Sequence, residues 1–244
     1  MNKLLIISGP SGVGKSPLLK AFDKFYPNIA KNYKKLILYN SRSARPNEVD
    51  GDDYYFRTKD YLNSLRINKN YLVFDVRDDI QALDINELVN NLKTNNIVYE
   101  GNPFVGCELI KSKLLRDVER LSIFISPLSL EEILFFKNNE NIILSELITD
   151  IMRRKLLKRT QNQKGILSIK DLENIENRAI SAYEELKLAI NFDFVLPNHD
   201  GEDSDHWDTF YYPIGDARKT LMALVDLLEN NKSSFAEKWN ENLL

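Results

Sequence analysis

The chain has 244 residues, 33 of them basic and 36 acidic, a net charge of −3 and a single cysteine, Cys107. That length carries a sizeable core in one domain with insertions, and the balanced charge, with no basic tract, argues against nucleic acid as a partner. One cysteine rules out an internal disulfide, so a reducing, cytoplasmic setting is the expectation, with the chain a monomer or homodimer; the apolar start, Leu4 to Ile7, is too short for a signal or membrane segment.

In chain order, apolar and β-branched runs predict strands near 3–8, 35–39, 53–57, 71–76, 95–100, 121–126 and 193–196. Helical periodicity predicts helices near 15–25, 59–67, 84–93, 106–117, 128–138, 143–163, 168–190 and 215–230. Strands alternating with helices imply an α/β layered fold around a largely parallel sheet. Residues 35–76 break the alternation and suggest a small substructure beside that sheet. Segments 136–150 and 199–214 read as insertions, and the tail after Asn230 as polar and mobile.

The first strand runs into "SGPSGVGKS", in which Gly9, Gly14, Lys15 and Ser16 satisfy the phosphate-loop spacing. A polyphosphate needs several converging backbone N–H groups, which the stretch Gly9, Ser11, Gly12, Val13 and Gly14 can present because glycines let the backbone turn and approach closely. The helix that follows adds its unpaired donors and positive end. Lys15 is placed to reach the outer phosphates and Ser16 to offer a hydroxyl to a divalent cation. A glycine-rich turn with an ordinary lysine is the bland alternative, and the strand-before, helix-after context speaks against it. Pro17, directly behind the Lys-Ser pair, removes an N–H and biases Ser16 away from helical angles, so the helix is expected to start one step late.

The segment "NSRSARPNEVDGDDYYF", residues 40–56, sets Arg42 and Arg45 three apart in a turn-rich stretch, followed by Glu48, Gly51 and Tyr54. Two guanidinium forks and a phenol suit a monophosphate; a solvated polar loop is the other reading. Together with the phosphate loop thirty residues earlier, this segment resembles the guanylate kinase family, in which Arg42, Arg45, Pro46, Glu48, Gly51, Tyr54 and Phe56 fall in register with the acceptor-binding motif. "KLLKRT", with Arg159, resembles the family's lid; "IENRAISAYEEL", with Arg178, its arginine-bearing helix; and "FDFVLPNHD" its last strand, ending at Asn198.

The resemblance implies a three-layer P-loop NTPase fold over residues 1–231, with an acceptor-binding part at about 34–83, a helical lid at about 136–178 and a polar tail at 232–244. It implies ATP and Mg²⁺ as cofactors and a nucleoside monophosphate, GMP or dGMP first, as acceptor. Lys15 and Ser16 would hold ATP phosphates and Mg²⁺; Arg42, Arg45 and Tyr54, with Glu48, the acceptor phosphate; Arg159 and Arg178 the transferring group; Asn198 the adenine. Base recognition departs from the family pattern. Leu38 replaces a serine, and straight alignment puts Val73 at the base-reading glutamate and Ala82 at a phosphate-binding tyrosine. Asp75 and Glu100 are the carboxylates expected to compensate, although Glu100 at a strand end also reads as an ordinary solvent-facing acid. Two rival readings stay open: the same chemistry on another phosphorylated acceptor, such as a modified nucleotide or sugar phosphate, and a binding module without turnover. His199 and His206, among Asp200, Glu202, Asp203 and Asp205, read as a solvated loop rather than a metal site, and the aromatic cluster Trp207, Phe210, Tyr211 and Tyr212 as packing within the insertion.

Overall fold

The computed structural model describes residues 2–44 and 48–244. Five parallel strands form the main sheet: β1 (Lys3–Ser8), β2 (Tyr33–Lys35), β7 (Asn96–Gly101), β8 (Glu119–Ser126) and β9 (Phe194–Pro197), in the order β2-β7-β1-β8-β9. Leu4 to Ile7 are fully buried at the centre, as a continuous apolar run between two parallel neighbours should be. Helices α1 (Lys15–Phe25), α5 (Pro103–Lys111), α6 (Leu130–Lys137), α7 (Leu144–Lys164), α8 (Ile169–Lys187) and α9 (Gly215–Asn230) follow or join these strands, with the four-residue α2 (Pro27–Ala30) after α1. Because every strand runs the same way, Ser8, Gly101, Ser126 and Pro197 all end at one edge, where crevices of such sheets open.

A second, four-stranded sheet lies beside the first, ordered β4 (Tyr55–Phe56), β3 (Tyr39–Asn40), β6 (Asp79–Asp84), β5 (Tyr71–Val76), with α3 (Lys59–Ser64) on one face and α4 (Ile85–Asn91) leading back to β7. The expected strand over 35–39 divides here: Tyr33–Lys35 pairs with β7, and the chain crosses at Leu36–Leu38 to begin the second sheet at Tyr39. Strand β6 is an addition to the expected elements. It pairs antiparallel with β5 through the two-residue turn Arg77-Asp78.

The expectations for the helices need two corrections, at the starts of α1 and α5. Helix α1 starts at Lys15, with Gly14 as its N-cap, so Pro17 does not delay it. Proline at the third position removes only an N–H that has no partner inside the helix, and Leu18 N already donates to Gly14 O at 3.1 Å. Residues 136–150 comprise the end of α6, a short connection and the first turns of α7, in line with the helices expected over 128–138 and 143–163. Helix α5 begins earlier than expected, with Pro103 at its first turn and Asn102 Oδ1 accepting from Phe104 N at 2.8 Å.

The tail is neither loose nor uniformly polar. Glu237 exchanges two 2.8 Å backbone bonds with Val195, covering the free edge of β9. Its carboxylate accepts from Leu130 N, the first N–H of α6, at 2.9 Å and from Trp239 Nε1 at 2.8 Å. Trp239 and Leu243 are each only 3 % exposed and join the main core. The 199–214 insertion is fastened as well. His199 sits between Asp216 (Nδ1, 2.5 Å) and Glu132 (Nε2, 2.9 Å), and Trp207 is buried with Nε1 donating to Asp200 O at 2.8 Å. Among the described residues no helix is long and apolar enough to cross a membrane.

Two measurements test these anchors. Trp239→Ala should cost about 3–5 kcal/mol of stability, the usual cost of emptying a buried tryptophan site, seen as a lower urea midpoint. Burial works to depress the His199 pKa, but Asp216 and Glu132 prevail and raise it above its ordinary 6.5. A raised folded-state pKa stabilises fully below the unfolded value and fades as pH rises through the folded one. The stability difference between wild type and His199→Gln should therefore be largest at acid pH and shrink above neutrality, read from urea unfolding across that range.

Candidate active site

The loop between β1 and α1 owes its shape to two glycines above all. Gly9 and Gly14 have φ of +154° and +101°. A Cβ on Gly9 would lie 2.4 Å from Ile125 O, and one on Gly14 would lie 2.5 Å from Asn198 Nδ2 and 2.8 Å from Asp200 O. Only glycine fits either place. The loop thereby aims its backbone and the first turn of α1 at the end of the parallel sheet, an arrangement that attracts anions. Lys15 is 6 % exposed, and its Nζ donates to Gly9 O and Pro10 O, both at 2.8 Å. Burial lowers its pKa, while Glu202, Glu100 and Glu185 pull the other way.

Ser16 Oγ donates to Glu100 Oε1 at 2.7 Å, so the strand-end carboxylate faces the loop rather than solvent. Beyond it, Asn102 Nδ2 donates to Glu185 Oε1 at 3.3 Å. Glu185, on α8, is fully buried; the same oxygen accepts from Ser181 Oγ at 3.1 Å and from Arg77 at 2.6 Å, while Oε2 has no hydrogen-bond partner among the described residues. Arg77 reaches it from the β5–β6 turn, with φ of +57°, an uncommon conformation for a side chain of this size.

On the acceptor side, Arg42 makes a two-pronged ion pair with Glu48 (2.6 and 2.7 Å), and its guanidinium lies over the rings of Tyr54 (5.1 Å) and Phe56 (5.4 Å). The motif residues Arg42, Glu48, Tyr54 and Phe56 are thus brought together; Arg45 lies outside the described residues. The base-side expectations need correcting. Asp75 is exposed and pairs with Arg66 at 2.5 Å. Val73 and Ala82 face each other across the hairpin and pack with Leu62 and Leu65 on the α3 face. Strand alternation puts the other set toward the main domain: Leu38, Phe74, Val76 and Leu83 join the main core, and with them face Asn40 and Gln81, both buried and directly paired. A one-residue difference in strand register separates this face from the one straight alignment selects.

Helices α7 and α8 form an antiparallel hairpin turned at Gly165 (φ +73°), and each delivers an arginine. Arg178 Nη1 donates to Ser11 Oγ at 3.3 Å. Arg159 Nη1 pairs with Glu202 Oε2 at 2.8 Å, while its buried Nε has no hydrogen-bond partner among the described residues. Glu202 N donates to Gly12 O at 3.0 Å, and Lys155 Nζ donates to His199 O at 2.5 Å. The insertion thus lies against the phosphate loop rather than in solvent. Burial pushes the Glu202 pKa up, but Arg159, Lys15 and Arg178 together hold it below the usual carboxylate range. Asn198 is not open to an adenine: it is fully buried, its amide donating to Val13 O and Asp200 O, both at 2.8 Å, and it braces the loop from behind.

Reading the residues alone missed Arg77, Glu185, Asn40, Gln81 and the role of Glu202. The alternation on both sides of Arg77-Asp78 was a usable signal for the hairpin, and hence for which side chains share its faces. Nothing local distinguishes Glu185 or Glu202 from surface acids.

The guanylate kinase family model matches residues 1–141, more than half of the chain. The guanylate kinase of Wigglesworthia glossinidia brevipalpis is 28% identical over 144 residues, covering 57% of this chain and 67% of that protein. The crystal structure of guanylate kinase from Anaplasma phagocytophilum superposes with a TM-score of 0.55 over 96% of this chain and 89% of that one, at 17% identity, a likeness of fold. With the phosphate loop, the acceptor motif and the two-sheet architecture in place, the chain belongs to the guanylate kinase family.

Proposed function

We propose that the protein transfers the γ-phosphoryl group of ATP to a nucleoside monophosphate, GMP or dGMP first. The observation that carries this reading is the convergence of Lys15 and Ser16, in the first turn of α1, with Arg178, which bonds Ser11 of the phosphate loop, and Arg159, which is tied to that loop through Glu202. Phosphoryl transfer asks mainly for positioning and for positive charge around the equatorial oxygens. The backbone from Gly9 to Gly14 would hold the donor phosphates, and Lys15 would leave its carbonyl partners to reach them. Ser16 and Glu100, 2.7 Å apart, offer the hard oxygen donors that Mg²⁺ prefers. Bound Mg²⁺ would supply charge neutralisation between the phosphates. Arg42, with one edge fixed by Glu48, would grip the acceptor phosphate together with Tyr54 and, on the motif, Arg45. Arg159 and Arg178 would close on the transferring group and exclude water, which limits ATP hydrolysis. A cytoplasmic location belongs to the same proposal.

Asn40 and Gln81 are a buried polar pair on the face of the second sheet toward the main domain, and the proposal assigns base reading to them rather than to Asp75. ADP release measured across a panel of nucleoside monophosphates and sugar phosphates tests the reaction: turnover is expected with GMP and dGMP, and a panel without turnover would leave only a binding role. Lys15→Ala should abolish turnover without lowering the melting temperature; retained turnover in the folded variant would remove the phosphate-loop assignment. Asn40→Ala or Gln81→Ala should raise the GMP KM about tenfold or more, the usual effect of losing a recognition hydrogen bond, and reduce the preference for GMP over AMP. An ATP KM that shifts instead would show that these side chains do not face the acceptor.

A further inference from the structure

Arg159 and Arg178, which the proposed reaction assigns to the transferring phosphoryl group, already have an anion near them, and it comes from the chain itself. Glu202 belongs to the segment between β9 and α9, beyond the 1–141 match to the family model. Its carboxylate lies 2.8 Å from Arg159 Nη1, and the side chains of Arg159 and Glu202 are only 12 % and 18 % exposed. Glu202 is the strongest anionic influence on Lys15, and Lys15 and Arg178 both act on Glu202 in return. The carboxylate therefore stands within the field of all three cations.

The contact is fixed from several directions. Glu202 N donates to Gly12 O in the phosphate loop, and Gly201 lies so close that a Cβ there would meet Gly12 O at 2.4 Å. Lys155, one turn before Arg159 on α7, holds His199 O at 2.5 Å and lies 3.7 Å from Asp203. The insertion, the lid helix and the phosphate loop are thus joined at the place where donor phosphates would enter. Among the described residues the buried Nε of Arg159 has no hydrogen-bond partner, so Glu202 only partly satisfies the guanidinium. A tetrahedral phosphate, with more oxygens and more charge, can satisfy what the carboxylate does not.

We propose that Glu202 is a built-in stand-in for phosphate, a positioning residue that holds Arg159 beside the phosphate loop and must be displaced when the nucleotide binds. Carboxylate and phosphate cannot share this cluster without strong like-charge repulsion. Nucleotide affinity is therefore lowered by the free energy of breaking the internal pair, and the insertion acts as a competitive gate on the donor site. This inference rests on the proposed donor site being correct.

The test is calorimetric titration with the β,γ-imido analogue of ATP and, separately, with inorganic tripolyphosphate, using wild type, Glu202→Gln, Glu202→Asp, Glu202→Ala and Lys15→Ala. Glu202→Gln keeps the shape and removes the charge. It and Glu202→Ala should bind both probes about five- to tenfold more tightly than wild type, the scale of a partly buried ion pair. Glu202→Asp should remain close to wild type. In the wild-type protein, saturating analogue should also speed hydrogen exchange at the Glu202 amide, because its bond to Gly12 O is released. Unchanged or weaker binding by both neutral variants, or an amide that stays protected when the site is filled, overturns the gate. Failure of the donor-site reading looks different: wild type and Lys15→Ala would then bind the probes equally, or not at all.

Discussion

A cluster of like charges has to be held together before the ligand that justifies it arrives. Lys15, Arg159 and Arg178 are drawn to one loop that already carries the positive end of α1, and removing such a group from water without counter-anions is prohibitive. The chain answers with carboxylates at short range: Glu202 on Arg159, Glu100 on Ser16 beside Lys15, and Glu48 on Arg42 at the acceptor side. Each acid comes from a different segment. The charge balance of the site is therefore also what fastens the insertion and the acceptor motif around the sheet edge.

The scaffold beneath this cluster is apolar and unusually complete. Leu4 to Ile7 leave the loop no freedom to withdraw, and Asn198, Asp200 and Trp207 close it from the other side. Gly14 is where these requirements meet, since the backbone there touches the bracing asparagine and the insertion at once. The insertion and the C-terminal tail are thus parts of the core rather than additions to it: one supports the loop, the other completes the edge of β9.

Much of this was legible in the sequence where the physics is local. The phosphate loop could be read because its glycines answer a steric demand within a few residues, and β1 because a run of buried aliphatics admits few alternatives. The Arg42–Glu48–Tyr54 constellation could be read because its members lie within one turn-rich stretch. Legibility failed where the deciding contact was distant or depended on strand parity. Straight alignment sets Val73 at the base, with Asp75 sharing its strand face as the compensating acid, yet one position along the strand reverses the face, and pairing with Ala82 and Ile80 turns this one toward α3. Asn198 reads as an exposed strand-end amide until its partners, Val13 O and Asp200 O, are seen. The tail reads as solvent-borne because Trp239 and Leu243 are isolated apolar residues whose partners lie far away in sequence.

The clasp between Arg77 and Glu185 has a mechanical consequence. One end is fixed to the β5–β6 turn of the acceptor sheet, the other to α8, two turns after Arg178. Seven residues of helix span about 10 Å, and positions seven apart lie on one face. The acceptor sheet and the arginine beside Ser11 are therefore mounted on the same rigid rod. A rotation of that sheet must either break an ion pair to a fully buried carboxylate or carry the rod with it. The placing of the acceptor sheet and the placing of Arg178 are in this way tied through one helix.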